Sequence, residues 1–161
     1  MERSRWRTFV FWVVLVEAVG LLSGHLSREG AVNFRELVAQ PPLSPPGVVF
    51  PVVWSILYAL MGISAARICL ELPSKERGRG LALFILQLAV NFIWSPVFFV
   101  VKDFGAAFLL VVVLWGLVFA MIRQFNKVDP VAAMLQIPYL IWLTFAGYLS
   151  AGIWILNFDP M

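Results

Sequence analysis

Gln87, Asn91, Trp94 and Ser95 fall at i, i+4, i+7 and i+8 of an otherwise apolar stretch. That spacing puts all four on one face of a helix, with Phe98 continuing the row. Carboxamides and a hydroxyl offer directional hydrogen bonds, and the indole adds a flat surface with one N–H donor. Trp54 and Tyr58 form an i, i+4 pair elsewhere in the chain, and Trp142 stands with Phe145, Ala146 and Leu149. Of the seven tryptophans, Trp6 and Trp154 sit where interfacial anchors belong, whereas Trp54, Trp94 and Trp142 lie further into apolar segments. Three inner indoles that can converge describe a slot for a flat, apolar ligand. The competing use of the polar row is hydrogen bonding between helices, which needs no ligand.

Glu17 is the one charged residue deep inside an apolar segment, on the stripe of Gly20 and Gly24. A carboxyl there must be protonated, paired or facing a wet cavity. It is either a neutral group hydrogen-bonded across a close helix contact or a proton-coupling or ligand-binding group. The chain has no catalytic or metal-binding constellation: one histidine (His25), no clustered Cys/His/carboxylate set, no glycine-rich phosphate loop and no Gly-x-Ser-x-Gly elbow. Bis-histidine haem ligation within the chain is excluded, as is an internal disulfide, since Cys69 is the only cysteine.

Five long apolar stretches position these residues: Trp6–Leu26, Gly47–Leu70, Gly80–Val101, Gly105–Phe125 and Val131–Leu156. Each approaches or exceeds the ~20 residues that cross ~30 Å of hydrocarbon. Charged residues are only 13% of the chain, against ~25% in soluble domains. The apolar runs are continuous rather than alternating, which favours helices over a membrane barrel. The expected fold is an all-α integral membrane protein, one five-transmembrane-helix domain over residues 1–161. Short connections at 71–79, 102–104 and 126–130 make sequential helices antiparallel neighbours, and a proline-rich loop covers 27–46. Kinks are expected at Pro96 and Pro138. The first span is too long for the core of a cleavable signal and is read as retained.

Nine Lys/Arg residues fall on the side of the N-terminus, against three (Arg28, Arg35, Lys102) on the other. This places the N-terminus in the cytoplasm and the long loop and C-terminus outside. The formal charge of +3 therefore reports topology rather than nucleic-acid binding. A bacterial inner membrane is the expected location.

Three segments together resemble a known family. They are Pro45-Pro46-Gly47-Val48-Val49-Phe50-Pro51-Val52-Val53-Trp54-Ser55-Ile56-Leu57-Tyr58, Asn91-Phe92-Ile93-Trp94-Ser95-Pro96-Val97-Phe98-Phe99, and Pro138-Tyr139-Leu140-Ile141-Trp142-Leu143-Thr144-Phe145-Ala146, followed by Tyr148-Leu149 and Asn157. In order and placement they are similar to the motifs of the translocator protein group, called tryptophan-rich sensory proteins in bacteria and peripheral benzodiazepine receptors in mitochondria. The resemblance implies a five-helix bundle, commonly a homodimer, that binds porphyrins (protoporphyrin or haem) and other flat hydrophobic ligands non-covalently. It implies a pocket under the first loop lined by the second, third and fifth helices. Carried over by motif, the lining is Trp54, Tyr58, Asn91, Trp94, Ser95, Trp142 and Ala146. The indoles would flank the macrocycle, Asn91 and Ser95 would supply hydrogen bonds, and Ala146 would leave room for the ring.

The chain departs from the family at Gln40-Pro41-Pro42-Leu43, where Lys-Pro-x-Trp is usual, so the loop lacks that indole and that cation. Ser150 stands where Asn is common, and no basic residue follows Tyr148, so the sterol-type pattern is missing. The implied function is a sensor or carrier of tetrapyrroles. Two alternatives are a light- or oxygen-dependent porphyrin-degrading enzyme, with Trp54 and Trp142 as electron-transfer partners, and a proton-coupled exporter built on Glu17. Gly20/Gly24 and Gly78/Ala82 are small-residue pairs able to seat a partner helix.

Overall fold

A computed structural model describes residues 1–158. Its elements are α1 (Glu2–Ala31), the short α2 (Phe34–Leu37), α3 (Val49–Leu70), α4 (Lys75–Pro96) running into a π-turn (Val97–Val101), α5 (Phe104–Asn126), α6 (Pro130–Leu135) and α7 (Ile137–Leu156). Five of the resulting segments are long and apolar enough to cross a membrane: α1, α3, α4 with its π-turn, α5, and α6 with α7. The described residues are helical or irregular, with no strand among them.

Helix starts follow local capping chemistry. Ser74 Oγ accepts from Arg77 N at 3.1 Å and starts α4 five residues ahead of the expected Gly80. Asp103 accepts from Ala106 N at 3.0 Å to begin α5, and Asp129 accepts from Val131 N at 3.0 Å with Pro130 in the first turn of α6. The other carboxylate oxygen of Asp129 takes Arg67 Nε at 2.6 Å, tying α3 to α6. Burial pushes the Asp129 carboxyl up, but the Arg67 hydrogen bond and charge, with the Val131 and Ala132 N–H groups, outweigh it and hold the group below its ordinary value.

The two prolines expected to kink their helices are accommodated differently: α4 runs through Pro96 into a π-turn, and Pro138 falls in the first turn of a new helix. Pro96 has no N–H to give the carbonyl of Phe92, four residues earlier. Ser23 on α1 donates to that carbonyl instead, at 2.9 Å, and the helix continues through the π-turn. At Pro138 the fifth span divides: α6 ends at Leu135, Gln136 serves both helices as a cap, and α7 carries Pro138 in its first turn.

Packing rests on glycines at which another chain segment passes close by. A Cβ on Gly62 would lie 2.5 Å from Val13 Cα, so α1 and α3 meet backbone to backbone there. Gly20 faces the Tyr58 ring at a distance no Cβ would allow, and Gly80 sits under the ring of Phe125. Gly24 and Gly78, by contrast, have open space where a Cβ would go. The buried core runs from Val16 through Met61, Phe84, Leu114, Val118, Phe125 and Tyr139. The opposite faces of α1 and α5 expose Val10, Phe11, Val14, Leu109, Val112 and Val113, as lipid-facing surfaces must.

Candidate functional site

The polar row of α4 does two different jobs. Its deeper part forms a buried network across three helices. Tyr58 OH on α3 donates to Asn91 Oδ1 at 2.8 Å, and Asn91 Nδ2 donates to Tyr139 OH on α7 at 2.7 Å. Tyr139 OH in turn donates to Gln87 Oε1 at 2.9 Å. Gln87 Nε2 has only the Met61 sulfur, at 4.0 Å. Further along, Ser95 Oγ donates to Ser27 Oγ at 2.8 Å, and Ser27 Oγ donates to Ser23 O at 2.9 Å. Ser95 thus fastens α4 to α1, and its hydroxyl is turned to that contact.

Between the helices lies a small cavity lined by Trp54, Asn91, Trp94, Val111, Leu114, Leu143 and Ala146. Four of the residues carried over by resemblance therefore meet there: Trp54, Asn91, Trp94 and Ala146. Tyr58 and Trp142 stand one layer back. Trp54 stacks on Tyr58 with ring centroids 5.4 Å apart and meets Trp142 edge-on at 6.5 Å. Trp54 also touches Tyr139 at 6.1 Å, joining the aromatic wall to the polar network. Val111 and Leu114 bring α5 into the lining, a contribution that no polar or aromatic signal in the sequence announces. Tyr139 was visible only as a motif residue beside Pro138; its place in the network depends on how the α6–α7 break aims it.

The segment after α1 packs against this region. Phe34 on α2 meets Phe98 at 5.2 Å and Phe99 at 5.0 Å, and Phe98 stacks on the cavity residue Trp94 at 5.0 Å. Farther on, Ala39 N donates to Asn157 Oδ1 and Asn157 Nδ2 donates to Ala39 O, both at 2.9 Å. Tyr148 OH donates to Pro42 O at 2.7 Å, and Pro41 rests against Gly152, where a Cβ would stand 2.6 Å from its ring. Arg35 donates to the carbonyls of Pro45 at 2.6 Å and Ser44 at 3.4 Å.

Two indole N–H groups, of Trp94 and Trp142, are buried with no acceptor among the described residues. Glu17 lies half-buried on α1 between the Val13–Gly62 and Gly20–Tyr58 contacts and makes no hydrogen bond to any described residue. His25 is exposed, and Cys69 lies beside Arg77, whose Nη2 donates to the Cys69 carbonyl at 2.8 Å.

A profile of the TspO/MBR family matches residues 12–155. The protein CrtK of Rhodobacter capsulatus is 42% identical over 136 residues, covering 84% of each chain. The translocator protein of Bos taurus is 33% identical over 151 residues, covering 92% of this chain and 89% of its own. The tryptophan-rich sensory protein of Cereibacter sphaeroides is 38% identical over 120 residues, 74% of each chain. With the five spans and the aromatic wall, these similarities establish that the chain belongs to the TspO/MBR family of membrane proteins.

Proposed function

We propose that the protein is a membrane-embedded sensor or carrier that binds a porphyrin-type tetrapyrrole, protoporphyrin or haem, or a ligand of the same flat, hydrophobic shape. The site is the space among α3, α4, α5 and α7 beneath the 34–46 segment. The observation that carries this reading is the meeting of the inner tryptophans: Trp54 and Trp94 line one cavity and Trp142 stands edge-on to Trp54. A sensory or translocating role also fits the names of the relatives.

The cavity measures ≈ 10 Å³, room for about one water. A macrocycle therefore enters only if the walls part. The parts best able to yield are the Trp54 and Trp142 rings and the roof, which is held by side-chain hydrogen bonds rather than a helical ladder. On this reading the chain works as a homodimer in a bacterial inner membrane with its N-terminus in the cytoplasm, an orientation supported by nine Lys/Arg against three.

The test is a titration of protoporphyrin into detergent-purified protein, followed by tryptophan quenching, with Trp142→Ala and Asn91→Ala alongside. Saturable binding that each substitution weakens by about tenfold is expected, the loss of one aromatic contact or one hydrogen bond. Binding that never saturates, or that ignores both substitutions, would overturn the assignment.

A further inference from the structure

Resting on that reading of the cavity, we infer that the ligand exchanges with the bilayer through the seam between α3 and α7, and that Phe50 and Trp142 are the rings that close it. The seam is an access surface for a flat, hydrophobic molecule dissolved among the lipid chains. Around the bundle, α1 packs on α3 and α4, α4 packs on α5, and α5 packs on both α6 and α7. The remaining edge lies between α3 and the fifth span, and there close helix packing is made by α6 alone. Ser64 donates to the Ala132 carbonyl at 2.7 Å, and Arg67 donates to Asp129 at 2.6 Å. Past the break at Gln136, the α7 backbone makes no comparable approach to α3. Side chains fill that part of the edge.

Three rings stand in series there. Trp54 lines the cavity, Trp142 meets Trp54 edge-on at 6.5 Å, and Phe50 meets Trp142 edge-on at 5.9 Å. All three are half-buried, and Val52, Ile56 and Ile141 beside them are exposed, as lipid-facing residues are. The Trp142 N–H has no acceptor among the described residues, so packing alone holds that ring. Turning a side chain is a far faster event than parting two helices. The roof is fastened more firmly: Tyr148 OH donates to Pro42 O at 2.7 Å, and Asn157 and Ala39 exchange two bonds at 2.9 Å. Entry beneath the roof breaks those bonds, whereas entry through the seam displaces only aromatic contacts. The seam also opens on the phase in which a hydrophobic ligand collects.

The experiment measures association and dissociation rates of protoporphyrin by stopped-flow tryptophan quenching, after subtracting partition into empty micelles. It compares the parent chain with Phe50→Ala and Tyr148→Phe in one detergent. Phe50→Ala removes the outer ring and leaves the cavity lining intact. Both rates should rise together by about threefold to tenfold, the loosening of one aromatic pair, while Kd stays within about twofold. Tyr148→Phe releases the roof from Pro42 and should leave both rates unchanged. Unchanged rates in Phe50→Ala overturn the inference, as does a change confined to dissociation, which would make Phe50 a binding contact. Exchange in Tyr148→Phe as fast as in Phe50→Ala, or faster, places entry at the roof and also overturns it. Each of these results leaves the tetrapyrrole site standing. If the parent chain shows no saturable binding, the site reading falls and the inference with it. Should Phe50→Ala fail to fold, Phe50→Trp gives the same test in reverse: the larger ring should slow both rates, and unchanged rates overturn the inference.

Discussion

Tyr139→Phe removes one hydroxyl and leaves a ring of nearly the same shape, yet it should cost more than any other single-atom change in the bundle. That hydroxyl accepts from Asn91 at 2.7 Å and donates to Gln87 at 2.9 Å, in a residue only 1% exposed. The Tyr58 hydroxyl, also buried, serves Asn91 alone, at 2.8 Å. Tyr139→Phe therefore strands two groups and Tyr58→Phe one. In soluble proteins each stranded group costs about 1–3 kcal/mol. Between membrane helices the measured pair energies are smaller, about 0.6 kcal/mol on average and at most about 1.7, because separated helices find other partners in the bilayer. The membrane figures apply here, since unfolding in detergent leaves the helices in an apolar phase. Two bonds give about 1–3 kcal/mol for Tyr139→Phe and one gives about 0.6–1.7 kcal/mol for Tyr58→Phe. Gln87 favours the upper part of the first range, because its only other contact is the Met61 sulfur at 4.0 Å. The assay is unfolding by denaturing detergent, read by tryptophan fluorescence and far-ultraviolet circular dichroism. The double variant should depart from additivity, because both tyrosines act on one carboxamide. A Tyr58→Phe cost equal to or above that of Tyr139→Phe would refute the assignment of Asn91 and Gln87 as a chain joined through Tyr139.

Three other variants are read by the same assay. Gly62→Ala sets a methyl 2.5 Å from Val13 Cα and 2.8 Å from Val13 N, where backbone cannot yield; a loss of about 1–3 kcal/mol is expected. Gly24→Ala meets nothing within 4 Å, so it should be neutral or more stable by up to about 1 kcal/mol through helix propensity. Asp129→Asn keeps an oxygen for Val131 N but discharges the partner of Arg67, at an expected cost of about 1 kcal/mol, the upper part of the range for ion pairs that keep one partner in contact with solvent. The folded Asp129 carboxyl is held below its ordinary value. Its stabilising effect is therefore complete above the unfolded carboxylate pKa, about 3.9, and is lost as pH falls through the folded value. The stability gap between the parent and Asp129→Asn should close in acid; a gap that widens there would refute the ion pair.

Much of the frame could be read from residue order because lipid makes the demand simple: a span must be long, apolar and internally hydrogen-bonded. The five spans follow from that rule. Boundaries moved where short polar groups cap helices, as at Ser74, and where α1 extends to Ala31 past the expected Leu26. Glycine spacing was a poorer guide. Gly20 and Gly24 share a stripe, but only Gly20 meets another helix closely, while Gly62 and Gly80 make close contacts that no small-residue pair marked. Which glycine is approached depends on crossing geometry between helices, and a single sequence does not encode that in any local pattern.

The polar row on α4 shows where local reading stops. Helical spacing placed Gln87, Asn91 and Ser95 on one face, and both ends of that face hydrogen-bond to other helices. Ser95 and Ser27 fasten α4 to α1, beside the Phe92 carbonyl that Pro96 frees and Ser23 satisfies. Four residues earlier, Asn91 faces a cavity and is gripped by two tyrosines from other helices. The face turns from the α1 contact to the α3 and α7 contacts and the cavity within about one helical turn. The carbonyl freed by Pro96 is met by Ser23 of α1 while Ser95 ties to Ser27 beside it, whereas the Asn91 carboxamide one turn away has its orientation fixed by Tyr58 and Tyr139.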